Sequence, residues 1–369
     1  MNVMETVGTR IRQRISELQL GVPEKDIAAS IRMAPDVFSR SLNGKRSFTS
    51  IELAQLAERL STSMYWLATG EADPFEARIA ARHQYNFEAG SYVNEKDDDT
   101  KAVLENLELA YRQVFQGRND EPTKTATAEE VLELLGEDFV WNFVSRIEER
   151  LGIDVTRVEG ISSAYSVRAG GRYCIVIPRS SNWFHQNSSM AHELGHIFLG
   201  HFNARDEGAE ESKEIPAFDF AAQILLPEKT MRTFDWWTTG QSNVINFLWK
   251  HGVSTKYLSN RLRKLGLRVR KEVWDLLDLS TFDVLNRPLE GKTFTSIAVA
   301  VRTQRAAERR FPDALVAAHM DAVAVGKAPK ETLAWMLNVD PETIEVHPPQ
   351  TDAVDLDDLA ATLGLAAKA

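Results

Sequence analysis

The short motif His192-Glu-Leu-Gly-His196 constrains this chain more than any other feature of its 369 residues. On a helix, two histidines four positions apart lie about 40° apart around the axis and roughly 6 Å along it. Both imidazoles can then reach one tetrahedral ion, and Glu193 can take a proton from water bound there. The motif predicts a helix over 188–202, capped by Ser188 or Ser189, that carries a zinc centre.

A zinc ion needs at least one further protein ligand, because two imidazoles hold it weakly. His201 is close in sequence, but a continuous helix would rotate it about 900° from His192, to the opposite side. The remaining choices are the acids that follow, among them Glu210 and Glu211. Glu214 is favoured, because apolar residues at helical spacing continue its face and would place its carboxylate beside the first helix.

The segment before the motif predicts one long helix followed by two strands. The helix covers 128–151 and opens with a capping box, in which Thr127 and Glu130 stand three residues apart. Runs of β-branched residues predict strands at 153–158 and 173–177, with Gly170-Gly171 as a turn.

Two further residues near the motif carry chemically reactive groups. Cys174 lies in the second predicted strand, and we interpret it as buried packing, because no histidine partner for a nucleophile is evident. His185 precedes the zinc motif and could stabilise an oxyanion, but a histidine in a surface loop is the simpler interpretation.

The first seventy residues predict five short helices, at 7–20, 24–31, 36–42, 51–60 and 64–68. A turn of about four residues joins the second to the third, which lets the third lie in a DNA major groove. Its exposed side carries Asp36, Ser39 and Arg40, and Lys45 and Arg46 follow in position to bind phosphate. The alternative is a helical module for packing or dimerisation that never contacts DNA.

Residues 6–70 resemble the helix-turn-helix of Xre-type, Cro-like repressors. The resemblance rests on Asp-Ile-Ala-Ala at 26–29, Phe-Ser-Arg-Ser-Leu-Asn-Gly-Lys-Arg at 38–46, Leu-Ala-Gln-Leu-Ala-Glu-Arg-Leu at 53–60 and Tyr-Trp-Leu-Ala-Thr-Gly at 65–70. It implies that Asp36 and Arg40 read bases of double-stranded operator DNA, and that Asn43, Lys45 and Arg46 contact its backbone. Operators built of half-sites would favour a homodimer.

Three stretches within residues 125–270 carry a second resemblance: Met-Ala-His-Glu-Leu-Gly-His at 190–196, Glu-Ile-Pro-Ala at 214–217 and Phe-Ala-Ala-Gln-Ile-Leu-Leu-Pro at 220–227. They resemble the ImmA/IrrE metallopeptidases, a gluzincin-like group, with Pro216 where many members have a second acid. The resemblance implies a zinc endopeptidase with Glu214 as third ligand, acting on a repressor- or antitoxin-like protein during stress or induction. It also implies that the strand at 173–177 lies at the cleft edge, where a peptide could add to it.

The remaining segments predict connections and helices without recognisable chemistry. Residues 73–124 form a predicted helical linker with helices at 75–85 and 103–115. Residues 271–369 form a predicted helical domain that senses a signal or binds a partner. Its arginines at 302, 305, 309 and 310 cluster on a predicted helix over 297–310, and we interpret them as a solvated face.

Composition excludes several classes of protein. The lone cysteine excludes an internal disulfide and suits a reducing cytoplasm. No apolar run approaches the ~18 residues of a membrane span. The net charge of −10 argues against nucleic-acid binding over the whole surface, although residues 1–60 are mildly basic.

Together these patterns predict an α+β chain that is mostly helical. We expect a DNA-binding domain at 1–72, a linker at 73–124, a peptidase domain with a small sheet at 125–270 and a helical domain at 271–369. The expected function is a cytoplasmic regulator that binds DNA and cleaves a partner protein. The alternative is a transcription factor whose peptidase fold senses a metal or ligand with little turnover.

Overall fold

The computed structural model describes residues 6–17, 23–60, 62, 64–70, 78–79, 84–86, 91–93, 98–115, 126–202 and 211–345. The chain divides into two compact units, residues 1–76 and 77–369. Both consist largely of helices, and the second also contains a small sheet, so the predicted α+β, mostly helical class is confirmed.

The first unit contains the five helices that the sequence predicts, within a residue or two where their ends are described. They are α1 (Val7–Glu17), α2 (Glu24–Ser30), α3 (Pro35–Leu42), α4 (Ser50–Arg59) and α5 (Met64–Thr69). One buried cluster joins all five, with Ile27, Phe38, Leu56 and Leu67 among its members. The helix-turn-helix pair is therefore α2 and α3, connected by residues 31–34.

Close contact between α1 and α3 requires a glycine. A Cβ added to Gly8 would lie only 2.0 Å from the carbonyl oxygen of Leu42. Since no side chain fits that gap, Gly8 lets the two helix backbones touch and fixes where α3 is presented.

The second unit is built around a four-stranded sheet in the order β1-β5-β6-β4. Its strands are β1 (Arg78–Ile79), β4 (Asp154–Val158), β5 (Tyr165–Ala169) and β6 (Arg172–Pro178), while β2 (Gln84–Asn86) and β3 (Ser91–Val93) form a separate pair. β6 pairs with β5 through the predicted Gly170-Gly171 turn, where both glycines have positive φ, and in parallel with β4.

The expectation that β6 lies at the cleft edge is wrong, because a neighbour pairs with it on each side. Its two faces are also both buried: Ile175 and Ile177 belong to one hydrophobic cluster, Cys174 and Val176 to another. Burial on both faces explains why the strand is apolar without alternation.

The remaining helices surround this sheet. They are α6 (Asp98–Val114), α7 (Ala128–Leu135), α8 (Phe143–Leu151), α9 (Trp183–Phe198), α10 (Glu211–Leu225), α11 (Glu228–Thr233), α12 (Gln241–His251), α13 (Thr255–Lys264), α14 (Lys271–Leu277), α15 (Thr281–Asn286), α16 (Ser296–Ala306), α17 (Asp313–Ala324) and α18 (Lys330–Leu337), with short 3-10 helices at Phe139–Asn142 and Pro341–Thr343. α9 and α10 belong to the cluster on the first face, whereas α6, α17 and α18 cover the second.

Two predicted helices are wrong. The helix predicted over 128–151 is broken into α7, a 3-10 turn and α8, because Gly136 and Asp138 adopt positive φ angles of 77° and 52°. The capping box of Thr127 and Glu130 at its start is confirmed. Within 75–85, the described residues form β1 and the start of β2 instead of a helix.

Of the four arginines expected on a solvated face, Arg305 is exposed as predicted, but Arg302, Arg309 and Arg310 are partly buried. Arg302 packs over the rings of Trp141, Trp183 and Trp249, with its guanidinium carbon 3.9 Å from the Trp183 centroid. Burial there lowers the pKa of Arg302 to about 10. Arg309 and Arg310 form ion pairs with Glu159 and Glu148. These side chains attach the segment to the rest of the unit.

Among the described residues, no helix combines the length and apolar character needed to cross a membrane.

Candidate metal centre

The helix that carries the zinc motif begins earlier than the sequence predicts. α9 is capped by Asn182, whose Oδ1 accepts a 3.1 Å hydrogen bond from the backbone N–H of His185. The predicted serine caps at 188 and 189 are wrong, since both positions lie inside the helix. His192 and His196 fall in the last two turns of α9, and His196 is completely buried.

Three side chains converge on one point beside these turns. The Nε2 atoms of His192 and His196 are 3.0 Å apart. Glu214 Oε2 lies 3.1 Å from His192 Nε2, and Glu214 Oε1 lies 3.4 Å from His196 Nε2. Among the described residues these three form a group whose ligand atoms all lie within 4.8 Å of one another.

The donor set and its spacing fit a tetrahedral zinc ion. Zinc bonds of about 2.0–2.1 Å place tetrahedral ligand atoms roughly 3.3–3.4 Å apart, which is close to the distances here. Two imidazole nitrogens and one carboxylate oxygen are a ligand set of catalytic zinc sites, which keep one position open for water or substrate.

The electrostatics of the group also favour a cation. Burial would raise the pKa of Glu214, but hydrogen bonds from His192 and His196 outweigh it and lower that pKa to about 2. Burial would lower the pKa of His196, but its contact with Glu214 and the charge of Glu193 raise it. A positive charge held between these groups is therefore stabilised, whether it is a proton or a metal ion.

Glu214 reaches the histidines because α9 and α10 pack unusually closely. A Cβ added to Gly195 would lie 2.9 Å from the Cα of Ala217, so the glycine of the motif is where the two backbones meet. Glu214 stands one turn before Ala217 and is thereby held against the histidines. Of the alternative ligands, Glu210 and the side chain of Glu211 lie outside the described residues.

Glu193 is buried beside the metal ligands and is held by a residue that sequence reasoning missed. The hydroxyl of Ser166, on β5, donates a short hydrogen bond to Glu193 Oε2 and lies 3.2 Å from the Glu193 carbonyl oxygen. β5, rather than β6, is therefore the strand in contact with the candidate base. No signal pointed to Ser166, since β5 itself was not predicted.

Comparison with protein families matches residues 148–263 to a peptidase family described as the IrrE N-terminal-like domain. The match runs from α8 to α13 and includes the three candidate metal ligands, Glu193 and Ser166. Residues 148–263 form a metallopeptidase-type domain. Searches of curated proteins and of solved structures found no match.

His201 lies beside the metal centre of the metallopeptidase-type domain, and its expected place across the helix is wrong. α9 ends at Phe198, and Gly200 with φ 74° turns the chain back. The backbone N–H of His201 donates to the carbonyl of His196, and its ring Nδ1 lies 2.8 Å from His196 Nδ1. Burial, together with the neighbouring His196, lowers the pKa of His201 to about 4.

The structure separates two other candidates from the reacting groups of the metallopeptidase-type domain. His185 is exposed in the first turn of α9, about 10 Å along the helix from His192, too far to stabilise an oxyanion at the metal. Cys174 is buried, and burial raises the pKa of its thiol to about 12, so it is packing, as the sequence predicts.

The predicted DNA contacts lie outside this domain, on one side of the first unit. Asp36, Ser39, Arg40, Asn43 and Lys45 are exposed on α3 or just after it. Arg40 lies 3.6 Å from Asp36, so the two predicted base readers are neighbours on the helix.

Arg46 and Asn43 are already engaged within the first unit. Arg46 forms two hydrogen bonds, of 2.9 and 3.0 Å, with the carboxylate of Glu52. The amide of Asn43 donates to the Ser39 carbonyl and accepts from Arg12. We therefore expect Lys45 to be the stronger phosphate contact of the set.

Proposed function

We propose that this protein is a zinc-dependent endopeptidase joined to an operator-binding unit, and that it hydrolyses a repressor- or antitoxin-like partner in a stress or induction response. The observation that carries the proposal is the convergence of His192, His196 and Glu214, with Glu193 buried beside them. The match of residues 148–263 to a peptidase family supports the same reaction class.

The side chains divide the chemistry of amide hydrolysis among them. His192, His196 and Glu214 would hold the zinc ion. When bound, zinc polarises the scissile carbonyl and lowers the pKa of the attacking water toward about 7. Glu193 accepts the proton of that water and later donates it to the leaving amine. Ser166 orients the Glu193 carboxylate through its hydroxyl.

Co-expression with proteins encoded by neighbouring genes tests the peptidase proposal. We expect the wild-type protein to produce a discrete fragment of one partner and Glu193→Gln to produce none. Zinc content, measured by atomic absorption, should be equal in the two proteins, because Glu193 is not a ligand. Fragments that form equally with both proteins would exclude Glu193 as the base.

The operator-binding unit would act by raising the local concentration of the peptidase near a substrate bound to the same DNA. We propose that it binds as a homodimer, with half-sites about one helical turn apart, in the cytoplasm.

A gel shift on the DNA upstream of its own gene should show binding that Arg40→Ala weakens, whereas Arg59→Ala, at an exposed arginine on α4, is the control. Glu193→Gln should keep DNA binding, and equal loss of DNA binding and cleavage would contradict this division of roles.

One observation favours the second candidate function, a ligand-sensing platform with little turnover. A cavity of about 640 Å³ lies between α11 and α12, lined by Phe234, Phe247, Lys229 and Lys250 among others. Neither lysine forms an ion pair within the described part of the chain. His251 is also in its wall and packs against Phe247 of the same helix, with ring centroids 4.2 Å apart. Regulation that persists in Glu193→Gln would support this function over proteolysis.

A further inference from the structure

The two imidazoles of the metal centre are held in different ways. The His192 ring packs against the Phe218 ring at a tilt of 32°, with ring centroids 4.2 Å apart, and within the described residues its buried Nδ1 has no hydrogen-bond partner. His196 instead has its Nδ1 2.8 Å from Nδ1 of His201. Within the part of the chain that the structure describes, only His196 is therefore oriented by a hydrogen bond at Nδ1, the nitrogen that faces away from the candidate metal.

The direction of that hydrogen bond follows from the position of His196. Its Nε2 faces His192 and Glu214, so a metal there needs the lone pair of Nε2. A neutral imidazole has one N–H, which must then be at Nδ1. His196 Nδ1 is the donor, and His201 Nδ1 is the acceptor.

The acceptor is itself fixed by the chain around it. The backbone N–H of His201 donates to the His196 carbonyl over 3.0 Å. The next residue, Phe202, is buried and packs edge-on against Tyr173 of β6, with ring centroids 4.9 Å apart. His201 is thus anchored on both sides, so its ring is held against His196.

We propose that His201 is a positioning residue for the metal centre: it accepts the Nδ1 proton of His196 and keeps His196 Nε2 free and aimed at the ion. The inference rests on the metal centre of the proposed function. Groups in this role commonly change metal affinity by about 10–100-fold when removed. Here the acceptor is an imidazole, whereas a carboxylate or a backbone carbonyl is usual.

Zinc affinity of the full-length protein tests the inference without an activity assay. The dissociation constant is measured by competition with a chromophoric chelator for the wild type, His201→Ala, His201→Asn and the control His185→Ala. We expect His201→Ala to weaken zinc binding about 10-fold or more. His201→Asn, whose amide oxygen can take the place of Nδ1 as acceptor, should stay close to wild type, and His185→Ala, at an exposed position of the same helix, should equal it.

Three results would overturn the inference. Equal affinity of His201→Ala and wild type would show that the contact does not support the metal. A loss in His201→Asn as large as in His201→Ala would show that an acceptor at the Nδ1 position is not what matters. Wild-type protein that binds no zinc would overturn the metal centre and the proposed function together, whereas the first two results leave that function standing.

Discussion

Glu193 and Glu214 are buried carboxylates on adjacent helices, and their different hydrogen-bond partners suit the different roles that we propose for them. Two imidazoles face Glu214, and their hydrogen bonds keep it ionised, as a metal ligand must be. A serine hydroxyl faces Glu193 and occupies one carboxylate oxygen. When the environments of two carboxylates differ in this way, one can serve as a metal ligand while the other serves as a base in the same site.

The hydroxyl of Ser166 gives a first prediction at this scale. Ser166→Ala removes the donor that orients Glu193, so we expect kcat for partner cleavage to fall about 10-fold, the value of one hydrogen bond of about 1.4 kcal/mol. Zinc content and KM should change little. The exposed Ser181→Ala serves as control, and a loss of zinc instead of kcat would assign Ser166 a purely structural role.

His251 gives a prediction for pH dependence. Burial lowers its pKa from 6.5 to about 4 in the folded protein. Between these values the unfolded chain binds the proton more readily, so the free energy of unfolding should decrease as pH falls through this window. We measure the free energy of unfolding by urea titration with a chelator present. Between pH 7 and pH 4 it should decrease by about 1–3 kcal/mol less in His251→Gln than in the wild type.

The control for this measurement is Gln241→Ala, which replaces an exposed residue of the same helix that does not titrate. Its decrease in stability should match that of the wild type over the same range. Equal pH dependence of His251→Gln and the wild type would show that His251 does not titrate as its burial implies.

The residues of the candidate site could be predicted to different extents. The sequence allowed four of them to be predicted, because helix periodicity alone decides which side chains share a face: His192, Glu193, His196 and Glu214. Ser166 was not, because the strand that brings it to Glu193 is recognised only through its pairing with β6. The predicted position of His201 was wrong because the prediction continued the helix past Phe198, where α9 ends.

At the scale of elements, the contact of α9 with α10 decides whether the metal ligands meet. Gly195 lies at that contact, and we expect Gly195→Ala to push the helices apart, weaken zinc binding and lower the free energy of unfolding by about 1–3 kcal/mol. Chelator competition and urea unfolding measure the two effects. Gly240→Ala is the control, since nothing lies within 4 Å of its added Cβ.

Most helices were predictable because amphipathic spacing and caps are local signals. The breaks were harder to predict. A single glycine such as Gly136 is tolerated within a helix, and the positive φ angles of Gly136 and Asp138 that end α7 are not visible in the sequence. The place of β6 inside the sheet could not be predicted either, since pairing partners come from segments far apart in sequence. Its burial on both faces was visible only as an unbroken apolar run.

At the scale of the molecule, the hydrophobic core continues past residue 270, where the sequence predicts the end of the peptidase domain. Val273, Leu276 and Val299 belong to the same buried cluster as α9 and α10, and Arg302 closes over three tryptophans. We therefore expect a fragment of residues 125–270 to be insoluble or unfolded by circular dichroism, whereas residues 77–369 fold. A cooperative thermal transition in the shorter fragment would contradict this.

The burial of Cys174 has a practical consequence for labelling. The chain has one cysteine, and its thiol is both inaccessible and, with a pKa of about 12, hardly ionised at neutral pH. A cysteine introduced at exposed Ser47 would be the single reactive position. A dye attached there could report the arrival of a DNA duplex by fluorescence, without first removing a native thiol.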